Sequence, residues 1–228
     1  MERNHEAFQL WEQGEFNKAV QLLMKEINDN PDNSDSYYNL ATMFILGHKY
    51  DDAKVILETA IEKYPNDPIF IYAFGNLYYE LEDYQISLNY FNQVIQFIGT
   101  PLKKDAMVMI GQNYLALDQS KKALVYFLSA YEEDKLDMTL ILLIGNTLLQ
   151  LGSFKEAKKY FELSMEQAPK NDEAWFKRGV VGMVLEEDAS VFDHFFKKAK
   201  ELNPKKYEER IKQLTAIESI VKNQGNND

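Results

Sequence analysis

The sequence predicts an all-α fold, a solenoid of about six helical hairpins followed by one further helix. Three observations predict it. Small residues recur at steps of 34, 34, 36, 34 and 34 residues, at Ala7, Ala41, Gly75, Gly111, Gly145 and Gly179. A large apolar residue follows each of them in the same phase: Leu23, Leu57, Phe91, Phe127, Phe161 and Phe196. Around these positions, apolar residues recur with the i, i+3, i+4, i+7 spacing of one helix face.

Residues 34–65 carry the clearest copy of the pattern. The first apolar stripe is Tyr37, Leu40, Ala41 and Phe44, and the second is Ala53, Leu57, Ala60 and Ile61. Gly47 and His48 separate the two stripes, and Pro65 ends the repeat because proline cannot continue a helix. This pattern resembles the tetratricopeptide repeat (TPR), a helix–turn–helix of 34 residues. The resemblance covers nearly the whole chain and implies a right-handed solenoid, in a stand-alone multi-repeat protein of bacterial type.

The repeats are predicted at residues 1–33, 34–67, 68–103, 104–137, 138–171 and 172–204. The longer step falls at residues 99–102, which form either a hinge or an extension of the next first helix. Residues 205–222 are predicted to be a capping helix, and residues 223–228 a disordered tail. The apolar stripe of the capping helix consists of Tyr207, Ile211, Leu214, Ile217 and Val221. Such a helix gives the last repeat an apolar face and presents a polar face to water.

The sixth repeat departs most from the pattern. Arg178 stands where a leucine is usual, and Gly182 stands where a large aromatic residue is usual. Its turn, residues 186–188, contains one extra residue. Gly179 and Gly182 each weaken the helix by up to about 1 kcal/mol relative to alanine. Alternatively, the two glycines permit the close approach of another backbone.

Composition excludes several classes of function. The net charge of −11 argues against general nucleic-acid binding, which depends on lysine and arginine. The chain has no cysteine, so it has no disulfide and no cysteine-based metal site. Three isolated histidines do not suggest a metal site. The sequence lacks the phosphate-binding, dinucleotide and nucleophile-elbow motifs. We therefore predict a protein that is not an enzyme and needs no cofactor.

Hydropathy indicates a cytoplasmic protein. The first residues lack the apolar segment of a signal peptide. The most apolar stretch, residues 139–151, is too short to span a bilayer, so no membrane association is predicted. Residues 197–212 contain seven basic and three acidic residues. This segment is either a solvated helix face or a basic docking patch.

A second stripe on each first helix, at positions 5, 9 and 12 of the repeat, faces away from the packing stripe. In tetratricopeptide repeat proteins this stripe lines the concave groove that binds peptides. The resemblance therefore implies a peptide-binding groove formed by Phe8, Trp11, Tyr38, Tyr72, Asn76, Tyr79, Gln112, Asn146, Leu149 and Phe176. The amides of Asn76, Gln112 and Asn146 both donate and accept, so they can hold the main chain of an extended ligand. Alternatively, they are ordinary helix-surface residues. If they only bind ligand, Asn76→Ala with Asn146→Ala should weaken binding without loss of stability.

The groove positions carry few cations. Lys177 is an exception, whereas Asp35, Asp105 and Glu173 would repel a carboxylate, so an acidic C-terminus is not the expected ligand. The predicted function is a non-catalytic protein-binding scaffold or adaptor that takes an apolar or amphipathic peptide or helix. The alternative is a structural self-assembly module, a homodimer or larger oligomer formed through the end repeats or the groove.

Overall fold

The structure, a computed structural model, describes the backbone of residues 2–224 and the side chains as far as residue 214. Within that range it contains thirteen helices and no strand. They are α1 (Glu2–Glu12), α2 (Phe16–Asp29), α3 (Ser34–Leu46), α4 (Tyr50–Lys63), α5 (Pro68–Glu80), α6 (Tyr84–Val94), α7 (Lys103–Ala116), α8 (Ser120–Glu133), α9 (Met138–Gln150), α10 (Phe154–Gln167), α11 (Asp172–Val184), α12 (Ala189–Leu202) and α13 (Pro204–Gln224). The predicted all-α repeat fold is confirmed.

The chain divides into two compact units, Met1–Ala130 and Tyr131–Asp228. The longer step at residues 99–102 lies inside the first compact unit, so the division does not fall at the predicted break. The extra residues there do not form a much longer helix. Instead, α6 has 11 residues where the other second helices have 14, and a long connection follows it.

The core is built from a small residue on the first helix of each hairpin and a large one on the second. Phe91, Phe127 and Phe161 are fully buried, which confirms the predicted aromatic core. A Cβ on the facing glycines, at positions 75, 111 and 145, would lie 2.7, 2.4 and 2.8 Å from these rings. In the first two repeats the small residue is alanine, and its partner is the smaller leucine. The choice between glycine and alanine therefore follows the volume of the partner.

Each hairpin turns at a residue in the left-handed backbone region. These residues are Gly14, His48, Glu82, Asp118, Gly152 and Glu186, with φ between 54° and 78°. They recur at the same steps as the small core residues. The next N–H then bonds back to the first helix, as Lys49 N does to Phe44 O at 2.8 Å and Asp83 N to Tyr78 O at 2.9 Å. This closes the first helix and aims the second helix back along it.

The first half of α13 packs on the sixth repeat. The ring of Tyr207 lies 5.8 Å from that of Phe176 and 6.5 Å from that of Phe196, and Arg210 pairs with Asp172 at 2.5 Å. The capping helix is therefore confirmed over the residues whose side chains are described. The side chains of Ile217 and Val221 lie outside them. The helix runs to Gln224, into the predicted tail, and residues 225–228 lie outside the described range.

Candidate functional site

A depression of about 270 Å³ crosses three neighbouring first helices of the first compact unit, α3, α5 and α7. Its lining includes Ile45, Leu46, Asn76, Tyr79, Met109 and Gln112. We call it the amide depression. It brings together three of the predicted groove residues, Asn76, Tyr79 and Gln112. Each of these side chains is half-buried, so its polar group lies at the surface of an otherwise apolar hollow.

Two residues of this hollow were not predicted. Met109 and Glu80 each lie one position after the predicted stripe, at positions 6 and 13 of their repeats, and both line the depression. Their signal in the sequence was present, since neighbouring positions of a helix share part of one face. Glu80 is the charged residue of the lining. Its carboxylate disfavours an anionic ligand there.

Tyr72 and Tyr38 pack into the wall of α5 and α3 and are half-buried. The Tyr72 ring lies 5.2 Å from that of Phe91, at the base of the third repeat. Burial, and secondarily the charge of Asp105, raises the pKa of the Tyr72 hydroxyl well above its usual value of 10. Burial likewise raises the pKa of Tyr79. Both hydroxyls therefore stay protonated and can donate a hydrogen bond.

Phe8 and Trp11 lie in the first repeat and do not line the amide depression. The side chain of Phe8 is exposed. The ring of Trp11 meets that of Phe16 edge-on, with centroids 4.7 Å apart. Trp11 lines a separate hollow of about 330 Å³ between α1, α2, α3 and the start of α4, which we call the N-terminal pocket.

The second compact unit holds the other three predicted residues. Leu149 lines a hollow of about 380 Å³ between α9, α11 and α13. Phe176 borders it, but its side chain is only 3% exposed, because α13 covers it. Phe176 is therefore mainly a core residue. The amide nitrogen of Asn146 donates to Glu173 Oε1 at 3.1 Å, while its oxygen is buried with no partner among the described residues.

Asn146→Ala is expected to lower the free energy of unfolding by about 1–2 kcal/mol, because it removes a hydrogen bond to a charged group. This differs from the prediction that position 146 can be changed without loss of stability. Thermal and urea unfolding measure it. Asn89→Ala, an exposed asparagine on α6, is the control and should change stability by less than about 0.5 kcal/mol. Equal effects at the two sites would contradict a structural role for Asn146.

Within the described residues no group of three or more histidine or acidic side chains is placed to hold a metal ion. No helix in that part of the chain is long and apolar enough to cross a membrane.

Comparison with known proteins agrees with the repeat pattern. Two family models, each described as a tetratricopeptide repeat, match residues 10–70 and 139–171. A TPR repeat-containing protein of Methanocaldococcus jannaschii is 21% identical over 162 residues, which are 71% of this chain and 28% of that protein. The chain therefore spans less than a third of this relative.

Two solved structures share the fold. PilF of Pseudomonas aeruginosa superposes with a TM-score of 0.76 at 17% identity, covering 92% of this chain and 96% of its own. YrrB, described as a TPR protein with an unusual peptide-binding site, gives a TM-score of 0.64 at 24% identity, covering 84% and 97%. Proteins of this kind are generally non-catalytic and bind other proteins or peptides on concave surfaces. The chain belongs to the tetratricopeptide repeat family.

Proposed function

We propose that the protein is a non-catalytic adaptor whose amide depression binds an apolar or amphipathic segment of another protein. One observation carries the proposal. Two amides and a tyrosine hydroxyl converge on an apolar hollow that spans three successive first helices. Successive helices that each contribute one polar group suit a ligand that runs across them.

The chemistry of the lining favours a polypeptide. Asn76 and Gln112 can each donate to a carbonyl and accept from an N–H, which are the groups that a peptide main chain offers. Ile45, Leu46 and Met109 supply apolar walls for its side chains. A volume of about 270 Å³ lies just below the roughly 300–1,000 Å³ of pockets that enclose small molecules. The hollow therefore suits one or two side chains of a longer ligand.

Replacing both amides, Asn76→Ala with Gln112→Ala, should weaken a peptide ligand about tenfold, since each lost hydrogen bond is worth about 0.5–1.5 kcal/mol. The ligand is a peptide selected from a random library against the immobilised chain. Its affinity is then measured by calorimetry.

The matched control is Gln85→Ala with Asn89→Ala. It removes the same two side-chain types from exposed positions on α6, in the same compact unit. The control should bind as the unmodified chain does. Equal weakening by both pairs, or unchanged binding by the Asn76 and Gln112 pair, contradicts the proposal. Circular dichroism checks that both variants are folded.

Self-assembly is the second candidate, favoured by exposed apolar side chains in the first repeat. Phe8, Phe16 and Met24 are each more than 40% exposed. Light scattering over a range of concentrations distinguishes the two functions. A constant monomer mass eliminates self-assembly, whereas a dimer that Asn76→Ala with Gln112→Ala disrupts would assign the amide depression to it. The cytoplasmic location stays a prediction, which a fluorescent fusion can test.

A further inference from the structure

The N-terminal pocket leaves large apolar side chains uncovered. Phe16 is 52% exposed and Leu46 is 59% exposed, and they stand on different helices around the same hollow. Trp11 supports Phe16 from beside it. At about 330 Å³ the hollow lies at the small end of the range for ligand pockets, about 300–1,000 Å³. It has room for one bulky side chain of a partner.

The charge at the pocket is positive and unpaired. Lys49 is the charged residue of the lining, and no carboxylate of the described residues pairs with its ammonium group. Asp51 and Asp52 follow it in the first turn of α4 but do not line the pocket. The amide depression differs, since its lining carries Glu80. The two hollows therefore favour ligands of opposite charge.

We propose that the N-terminal pocket is a second docking site, which takes a bulky apolar side chain of a partner segment with an acidic residue beside it. The apolar side chain fills the space between Phe16 and Leu46, and the neighbouring carboxylate pairs with Lys49. Burial of the apolar group supplies most of the affinity. An exposed ion pair contributes little to affinity, so Lys49 sets a preference for acidic over basic partners.

Two short probes test this preference directly. They are N-acetyl-aspartyl-phenylalanine amide and N-acetyl-lysyl-phenylalanine amide, which differ only in the charge beside the aromatic ring. Binding is followed by the indole N–H resonance of Trp11. The chain has two tryptophans, and Trp175→Phe assigns which resonance is which. The acidic probe should bind about two- to fivefold more tightly than the basic probe, the effect of one exposed ion pair.

Lys49→Glu should reverse the order of the two probes, whereas Phe16→Ser should weaken both. Lys54→Glu makes the same charge change on an exposed lysine of α4 outside the pocket and should keep the original order. Asn76→Ala with Gln112→Ala should also leave probe binding unchanged, which separates this site from the amide depression.

The proposal is overturned if the order of the probes does not depend on residue 49, or if the Trp11 resonance does not respond to millimolar probe. Concentration-dependent dimerisation that Phe16→Ser abolishes would also overturn it, because the occupant would then be a second copy of the chain. Light scattering under the titration conditions reports that outcome.

Discussion

Phe127→Ala is expected to lower the free energy of unfolding by about 3–5 kcal/mol, the range for removing a fully buried aromatic ring. The side chain has no exposed surface, and its ring lies against the backbone of Gly111. The helix cannot collapse into the space because α7 and α8 are held together by the turn at Asp118. Urea unfolding measures the change. The control is Val125→Ala on the same helix, whose side chain is 61% exposed and whose loss should cost less than about 0.5 kcal/mol.

The facing glycine gives a second measure of the same contact. Gly111→Ala places a methyl group 2.4 Å from the Phe127 ring and should cost about 1–3 kcal/mol, although alanine favours a helix. Gly111→Ala with Phe127→Leu reproduces the alanine–leucine pair of the first two repeats. This double variant should be more stable than the sum of the single changes predicts. Strict additivity would show that the two residues do not share a packing constraint.

Arg178→Ala is expected to lower the free energy of unfolding by about 3 kcal/mol, because removing one partner leaves buried charge uncompensated. Arg178 is 3% exposed and donates to Glu187 and Glu162, each at 2.8 Å. Lys158 still pairs with Glu187 at 2.7 Å, which keeps the loss at the low end of the range for broken buried pairs. A Cβ on Gly182 would meet the Arg178 guanidinium at 3.2 Å and Phe192 Cβ at 2.8 Å. The glycine therefore makes room for the pair.

Arg178→Leu with Glu187→Gln removes both charges and should be far less damaging, since an apolar substitute for a buried pair is often neutral. The two forms should also differ in acid. The hydrogen bond from Arg178 chiefly holds the pKa of Glu187 below its usual value of 4.5. The pair therefore stabilises the fold above that value, and its contribution is lost as the pH falls through the lower folded pKa. The unmodified chain should lose more stability below about pH 4.5 than the double variant. Parallel acid titrations would contradict this assignment.

The repeat fold could be predicted because stacking imposes the same packing positions on every hairpin. The burial of Phe176 could not, since periodicity identifies a helix face but not what covers it. Residue Phe176 lies at a groove position, yet the last repeat is followed by α13. The sequence likewise marked Arg178 as a departure without identifying its partners. Glu187 reaches it from a turn with one extra residue, and repeat spacing does not define where such a residue points.

The left-handed turns have a consequence for how the chain folds. Each turn joins two helices that meet within a single repeat, so most contacts connect residues near one another in sequence. Low contact order permits fast folding, and repeat arrays can nucleate at many points. A hairpin is complete as soon as its second helix has left the ribosome. The first repeats can therefore cover their apolar faces while later ones are still being synthesised, which limits aggregation of the nascent chain.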